Sequence, residues 1–287
     1  MYELFDILKV IFLGIVEGVT EWLPVSSTGH MILFEDYLSL GVSEDFLSMF
    51  LVVIQLGAIL AVPVLFFDKL CPFGKNKTKE DSMKIWQLWL KVIIGIIPVG
   101  IIGFLFDDMI DDFFLSGDVK SIVVAIALVV WGVAFILVEH FKKKEGKEPR
   151  VDSVYDLTYR DALFIGSFQI FSLIPGTSRS GSTILGGLLF NVSRTCASEF
   201  SFFMAIPVML GASLLKVLKF IIKGIAATPF EIILLFIGIV VSFLVSLLAI
   251  RFLMNFVKKN SFTVFGIYRI VLGVIVILNF LITTLNV

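Results

Sequence analysis

Very little in this chain can crosslink or chelate: its 287 residues include 2 cysteines and 2 histidines. Cys71, in a predicted loop, and Cys196, beside a predicted helix start, offer neither a disulfide framework nor the roughly four ligands of a closed zinc site. Charge is scarce too. Charged residues make up 16% of the chain and sum to −1, so there is no basic face for nucleic acid, which is excluded as a partner. The strict polar–apolar alternation of half-buried strands is absent. What remains is apolar: 58% of residues are hydrophobic and the mean hydropathy is +1.03, with runs as long as the ~20 residues a membrane helix requires. Composition alone predicts an all-α polytopic membrane protein, a single integral membrane domain over residues 1–287.

Six transmembrane helices are predicted, at Phe46 to Phe67, Val92 to Phe106, Val119 to Val138, Phe200 to Ile222, Phe230 to Ile250 and Phe262 to Ile282. Residues 4–40 and 161–192 are also apolar enough to enter lipid, but Pro, Gly and polar residues break each near its middle. They read as two re-entrant helical hairpins, which a membrane tolerates only where protein or a watery cavity covers the irregular backbone. The short apolar stretch Val10 to Val16 is cut by Glu17 and lacks a cleavage-like pattern, which argues against a removable signal.

Orientation follows from Lys and Arg. Placing the 68–91 connection in the cytoplasm puts Lys69, Lys75, Lys77, Lys79, Lys84 and Lys91 inside. Lys142, Lys143, Lys144, Lys147, Arg150, Arg160, Arg194, Arg251, Lys258 and Lys259 join them. Only Lys9, Lys120, Lys216, Lys219 and Lys223 fall outside, with the acidic cluster Asp107, Asp108, Asp111 and Asp112. Both termini are then outside and the hairpins enter from opposite faces. Pro24 and Pro175 stand 151 residues apart, and Leu56-Gly57-Ala58 and Leu210-Gly211-Ala212 stand 154 apart. One hairpin plus three crossings per half makes an inverted-topology repeat: residues 1–140 form the first copy, 155–287 the second, and 141–154 a cytoplasmic linker.

Two polar segments interrupt this lipid-like chain: Glu17 to His30 and Ile174 to Thr183. Unpaired polar groups at membrane depth cost several kcal/mol each, of order 2–7, so such residues point to function. Glu17 and Glu21 share a helical face about 6 Å apart along the axis. Carboxylates so placed repel, and call for either a shared hard cation, Mg²⁺ or Ca²⁺, or a division of labour between an acid and a base. After Pro24, Ser26, Ser27 and Thr28 supply hydroxyls and His30 an imidazole, although Ser26 and Ser27 could also cap the following helix. His140, beside Lys142 to Lys144, reads as a solvated boundary residue. In the second segment Gly176, Thr177, Ser178, Ser180 and Thr183 surround Arg179 in an anion cradle: turned backbone amides, a helix N-terminus, hydroxyls and a guanidinium fork. Arg269, inside the last span, calls for a partner such as Glu199 or backbone carbonyls, or for a part in the site.

These motifs, Glu-x-x-x-Glu before Ser-Ser-Thr-Gly-His and Pro-Gly-x-Ser-Arg-Ser-x-x-Thr, resemble those of the membrane-integrated undecaprenyl-diphosphate phosphatases, the bacitracin-resistance family. The resemblance covers essentially the whole chain, with no departure at Glu17, Glu21, Ser26 to His30, Pro175, Gly176, Ser178, Arg179, Ser180 or Thr183. It implies hydrolysis of a polyprenyl diphosphate lipid to the monophosphate and inorganic phosphate, which recycles a carrier for cell-wall polymer synthesis. It also implies a divalent-cation requirement and a site opening to the outer face of the bacterial plasma membrane; Glu17 and Glu21 bind that cation or serve as acid and base.

With that resemblance, Arg179 and the groups around Ser178 to Thr183 hold the diphosphate, while Ser26, Thr28, Gly176 and Thr177 complete the binding set. The catalytic group is Glu17, Glu21, Ser27, His30 and Arg179. Ser27, or else Ser26, attacks phosphorus with His30 or a Glu as base; attack by His30 or by water stays open as a rival. The alternative class is a transporter or flippase of polyprenyl phosphates, built with the same broken helices. Acid-phosphatase-like lipid phosphatases also use Ser-Gly-His and Ser-Arg elements but need a later histidine, and none follows Arg179. Whether the chain acts alone or as a homodimer is open.

Overall fold

The computed structural model describes residues 2–35, 40–74, 77–114, 119–224 and 227–285. Among the described residues the regular structure is helical apart from one isolated parallel bridge, Val151 to Val192, where Ser193 N donates to Val151 O at 2.8 Å. Six helices are long and apolar enough to cross a membrane: α3 (Glu44–Leu65), α5 (Lys79–Phe114), α6 (Val119–Glu145), α9 (Arg194–Ile222), α10 (Pro229–Val257) and α11 (Thr263–Leu285). Between them lie α1 (Tyr2–Thr20), α2 (Ser27–Glu35), the single turn α4 (Phe67–Leu70), α7 (Tyr159–Phe168), a 3₁₀ turn Gln169–Leu173 and α8 (Arg179–Leu189).

Several helices outrun the apolar stretches that announce them. α5 starts at Lys79 rather than near Val92, and α6 continues to Glu145 rather than ending near Val138. Apolar length measures the part that hydrocarbon must cover, whereas a helix ends where its orphan N–H and C=O groups find caps. α9 begins at the Ser193 cap, whose side chain accepts from Cys196 N, and α10 begins in a capping box between Thr228 and Glu231. A second box, Thr158 with Asp161, opens α7. Burial raises the Asp161 carboxyl, but the Arg150 guanidinium and the Thr158 donors hold it below the ordinary range.

The main helix contacts pair α6 with α11, α3 with α10, α1 with α10, α5 with α7 and α3 with α9. The largest core gathers Trp22, Phe135, Phe200, Phe202, Phe203 and Phe262, all fully buried. Many large apolar side chains on the spans, among them Phe104, Ile222, Phe236 and Leu248, stay exposed and suit contact with lipid. The side chains of Asp107, Asp108, Asp111 and Asp112, and all of Lys75, lie outside the described residues.

Candidate active site

The two polar segments meet. Each ends a helical stretch, turns at a proline and starts a new helix from a serine whose backbone is left-handed: φ is 72° at Ser26 and 71° at Ser178. Non-glycine residues rarely adopt this conformation, and it persists only where its surroundings enforce it. The Ser26 hydroxyl accepts from Gly29 N at 3.4 Å and the Ser178 hydroxyl from Gly181 N at 3.2 Å. Both serines therefore cap helices, α2 and α8, and the remaining first-turn amides of both helices have no partner within their own helix.

Between these helix starts lies a cavity of about 240 Å³, lined by Thr20, Glu21, Ser26, Ser27, Thr28, Gln55, Gln169, Ser172, Gly176, Ser178 and Arg179, with apolar residues of α5, α9 and the Leu173–Pro175 stretch completing the wall. Two helix N-termini and one guanidinium converge on it, the arrangement that favours an anion. A larger cavity of about 800 Å³ opens elsewhere, among Lys142, Lys143, Arg194 and Lys258. It contains none of the motif residues, so convergent chemistry rather than size locates the site.

No acid near Arg179 in sequence neutralises it; the other half of the chain does. Arg179 Nη2 and Nε donate to Glu21 Oε1 at 3.0 and 3.3 Å, and Nη1 donates to Ser201 O at 2.8 Å. Both side chains are 11% exposed, so this pair is largely desolvated yet still reachable from the cavity. Trp22 supports the guanidinium from 5.8 Å and is itself fixed edge-on against Phe202. Glu17 lies one helical turn before Glu21, whose N–H donates to Glu17 O at 3.0 Å. Glu17 is 2% exposed, and its Oε1 has no hydrogen-bond partner.

Arg269 pairs with backbone carbonyls, not with Glu199, which binds Lys69 at 2.7 Å. From a fully buried position it donates to Pro24 O at 3.2 Å and to Gly176 O and Thr177 O at 2.8 Å each. One cation thus ties the two turns together, and its charge lies beside the anion-binding backbone. Gly176, at φ 88°, sits against Val124 so closely that a Cβ would fall 2.7 Å from the Val124 carbonyl oxygen.

The predicted site residues fall into two groups. Glu21, Ser26, Ser27, Thr28, Gly176, Ser178 and Arg179 line the cavity; Glu17, His30, Thr177, Ser180 and Thr183 do not. The Ser27 hydroxyl has no hydrogen-bond partner among the described residues and is free to act. His30 does not reach it. Its Nδ1 donates to Ser26 O at 2.7 Å, and in the neutral ring Nε2 then accepts from the Tyr268 hydroxyl at 2.7 Å. Thr183 bonds Arg179 O at 3.0 Å and the Ser201 hydroxyl at 2.7 Å, which fixes the arginine's backbone. Ser180 meets the Ser178 hydroxyl at 3.2 Å. Thr177 is fully buried with a partnerless hydroxyl. Gln55, Gln169 and Ser172 line the cavity without having been singled out by motif, because a lone amide or hydroxyl in an apolar run carries no spacing signal.

The chain is similar to known proteins over nearly its whole length. A relative from Enterococcus faecalis named undecaprenyl-diphosphatase is 51% identical over 94% of this chain and 95% of its own length. Relatives named undecaprenyl-diphosphatase 1 from Clostridioides difficile and Clostridium acetobutylicum are 53% and 52% identical, covering 97% and 98% of the chain and 98% and 99% of their own lengths. The family described as bacitracin resistance protein BacA matches residues 10–275, a stretch that holds both polar segments, α3, α5, α6, α9 and α10 and the first part of α11, and the chain belongs to that family.

Proposed function

We propose that the protein hydrolyses undecaprenyl diphosphate to undecaprenyl phosphate and inorganic phosphate, recycling the lipid carrier of cell-wall polymer synthesis and so conferring bacitracin resistance. The observation that carries this reading is the Arg179–Glu21 pair set between two helix N-termini, on a chain about half identical to undecaprenyl-diphosphatases. Arg179 and the free amides of α8 hold the diphosphate and spread the charge that builds on the transferring phosphoryl group. Ser27 Oγ attacks the terminal phosphorus. The anhydride P–O bond breaks, undecaprenyl phosphate leaves, and the serine proton passes to Glu21 once the substrate has drawn Arg179 toward itself. Water then attacks the phosphoserine and releases phosphate. Of the two bases expected from sequence, His30 or a Glu, this scheme uses Glu21, and His30 braces the Ser26 turn against Tyr268.

A divalent cation fits Glu17 and Glu21. They are one turn apart, and one oxygen of Glu17 lacks a partner. Among the described residues no third His, Cys, Asp or Glu joins them, which matches Mg²⁺ held by one or two carboxylates plus substrate phosphates. Bound there, the ion supplies charge neutralisation at the phosphoryl oxygens.

The broken pairs α1–α2 and α7–α8 are read as re-entrant hairpins and the two halves as an inverted repeat, with the site opening outward and both termini outside. Exchanged pairings support this reading. Lys69 binds Glu199 at 2.7 Å and Lys223 binds Asp45 at 2.7 Å; the two lysines stand 154 positions apart, and so do the two acids. Likewise Gly14 of α1 faces Gly238 of α10, and Gly166 of α7 faces Gly95 of α5. An apolar groove of about 460 Å³ along α6, walled by Trp131, Phe171 and Leu185, shares Ile174 with the cavity and suits a prenyl chain.

Purified protein in detergent, where no compartments exist, should release phosphate from undecaprenyl diphosphate, and chelator should suppress the release. Ser27→Ala should abolish it, and acid quenching of the wild type should trap a phosphoserine. Full turnover in Ser27→Ala would pass the attack to water or His30. Lipid movement without phosphate release would favour the flippase.

A further inference from the structure

Gln169 stands out once the site is assembled. It is fully buried, it lines the cavity beside Arg179, Glu21 and Ser172, and neither its Oε1 nor its Nε2 has a hydrogen-bond partner. A buried primary amide with both ends unmet is costly, and folded proteins keep such groups where something else completes them. The cavity is where that something binds.

Its place in the chain is equally informative. Gln169 lies 152 residues after Glu17, the offset that separates the two left-handed cap serines, Ser26 and Ser178, and their partners Gly29 and Gly181. On the inverted-repeat reading, Glu17 and Gln169 are the same position of the two halves. One half carries a carboxylate there and the other its neutral isostere. Charge explains the difference. Arg179 already faces Glu21 at 3.0 Å, and a second carboxylate lining the cavity would repel an incoming diphosphate. An amide keeps the shape and contributes two N–H donors instead.

We propose that Gln169 is a substrate-binding residue that donates from Nε2 to a non-bridging oxygen of the diphosphate, opposite the carboxylate pair of the first half. The proposal rests on the diphosphate-hydrolysis reading. In that arrangement the first repeat supplies the nucleophile and the carboxylates, whereas the second supplies Arg179, the α8 amides and this amide.

The test compares Gln169→Leu and Gln169→Glu with the wild type in detergent, reading three quantities: phosphate release from undecaprenyl diphosphate, binding of methylenediphosphonate, and thermal stability. The proposal expects Gln169→Leu to be at least as stable as the wild type, because an orphaned amide has been removed. It expects kcat/KM to fall about 10- to 100-fold, the scale of one lost hydrogen bond to a charged group, and methylenediphosphonate to bind more weakly by a similar factor. Gln169→Glu, which keeps the shape but replaces the donors with negative charge, should fall further. A structural role predicts the reverse pattern: stability lost and analogue affinity unchanged in the folded fraction. If Gln169→Leu does not fold, Gln169→Glu decides, and analogue binding within twofold of the wild type overturns the proposal. A wild type that releases no phosphate would instead defeat the hydrolysis reading, and analogue binding would still report on Gln169.

Discussion

Arg269 shows how a single buried charge can hold a site without touching its reaction. Its guanidinium has no carboxylate partner among the described residues; three carbonyl oxygens, one from the first turn and two from the second, receive its protons. Those carbonyls belong to Pro24, Gly176 and Thr177, where the helical hydrogen bonds are interrupted, so removing the arginine leaves them buried and unmet. Each such group costs about 1–3 kcal/mol. Arg269→Met should therefore destabilise the protein by roughly 3 kcal/mol or more, with phosphate release lost because the two turns no longer face each other. Thermal unfolding in detergent and the release assay check this, and a Met variant of wild-type stability would remove the clamp. From sequence, Arg269 was visible as an anomaly and backbone carbonyls were one of its two expected partners, but which carbonyls was not legible, because they look alike in every residue.

At the level of the helices, small residues decide how closely the halves approach. Lipid tails are as apolar as leucine, so helices in a membrane gain little from apolar contact and rely on close packing of small residues. The α6–α11 crossing is the clearest instance. A Cβ on Gly132 would lie 2.7 Å from Gly266 O, and a Cβ on Gly266 would lie 2.7 Å from Gly132 O. Gly211, one of the words that first announced a repeat, has nothing within 4 Å of such a Cβ. Gly132→Ala should thus force α6 from α11 at a cost of about 1–3 kcal/mol, whereas Gly211→Ala should be harmless; paired melting curves separate the two. The existence of these helices was legible, since about 20 apolar residues announce a span. Their ends were not, because caps such as Thr158 with Asp161 are short polar words that also occur in loops. The hinges Pro24 and Pro175 were legible as breaks, and the left-handed serines beside them were not, since nothing in the letter Ser signals a positive φ.

For the whole molecule, the issue is which face each half presents. Lys69–Glu199 and Lys223–Asp45 are two ion pairs whose lysines, like their acids, stand 154 positions apart, and on the proposed repeat they are one pair with the halves exchanged. In an inverted repeat, equivalent positions lie on opposite sides of the membrane, and in a parallel repeat they lie on the same side. On the proposed inversion the charge distribution predicts the direction: Lys69 in the cytoplasm with the Lys-rich connection, and Lys223 on the sparsely basic outer face. Both lysines are accessible, at 43% and 61% side-chain exposure. The Lys223–Asp45 pair is exposed on both sides and contributes little, about 0–1 kcal/mol, whereas Glu199 is only 8% exposed, so Lys69→Cys is made together with Glu199→Gln to leave no unpaired buried carboxylate. The lysines can therefore be replaced without unfolding the protein. In a background with Cys71→Ser and Cys196→Ser, a membrane-impermeant maleimide applied to intact cells should label Lys223→Cys and leave Lys69→Cys untouched until the membrane is opened. Labelling of both from one side would remove the inversion. It would also separate the two turns' entry faces from the charge pattern, and the case for a site fed from outside would then rest on the cavity alone.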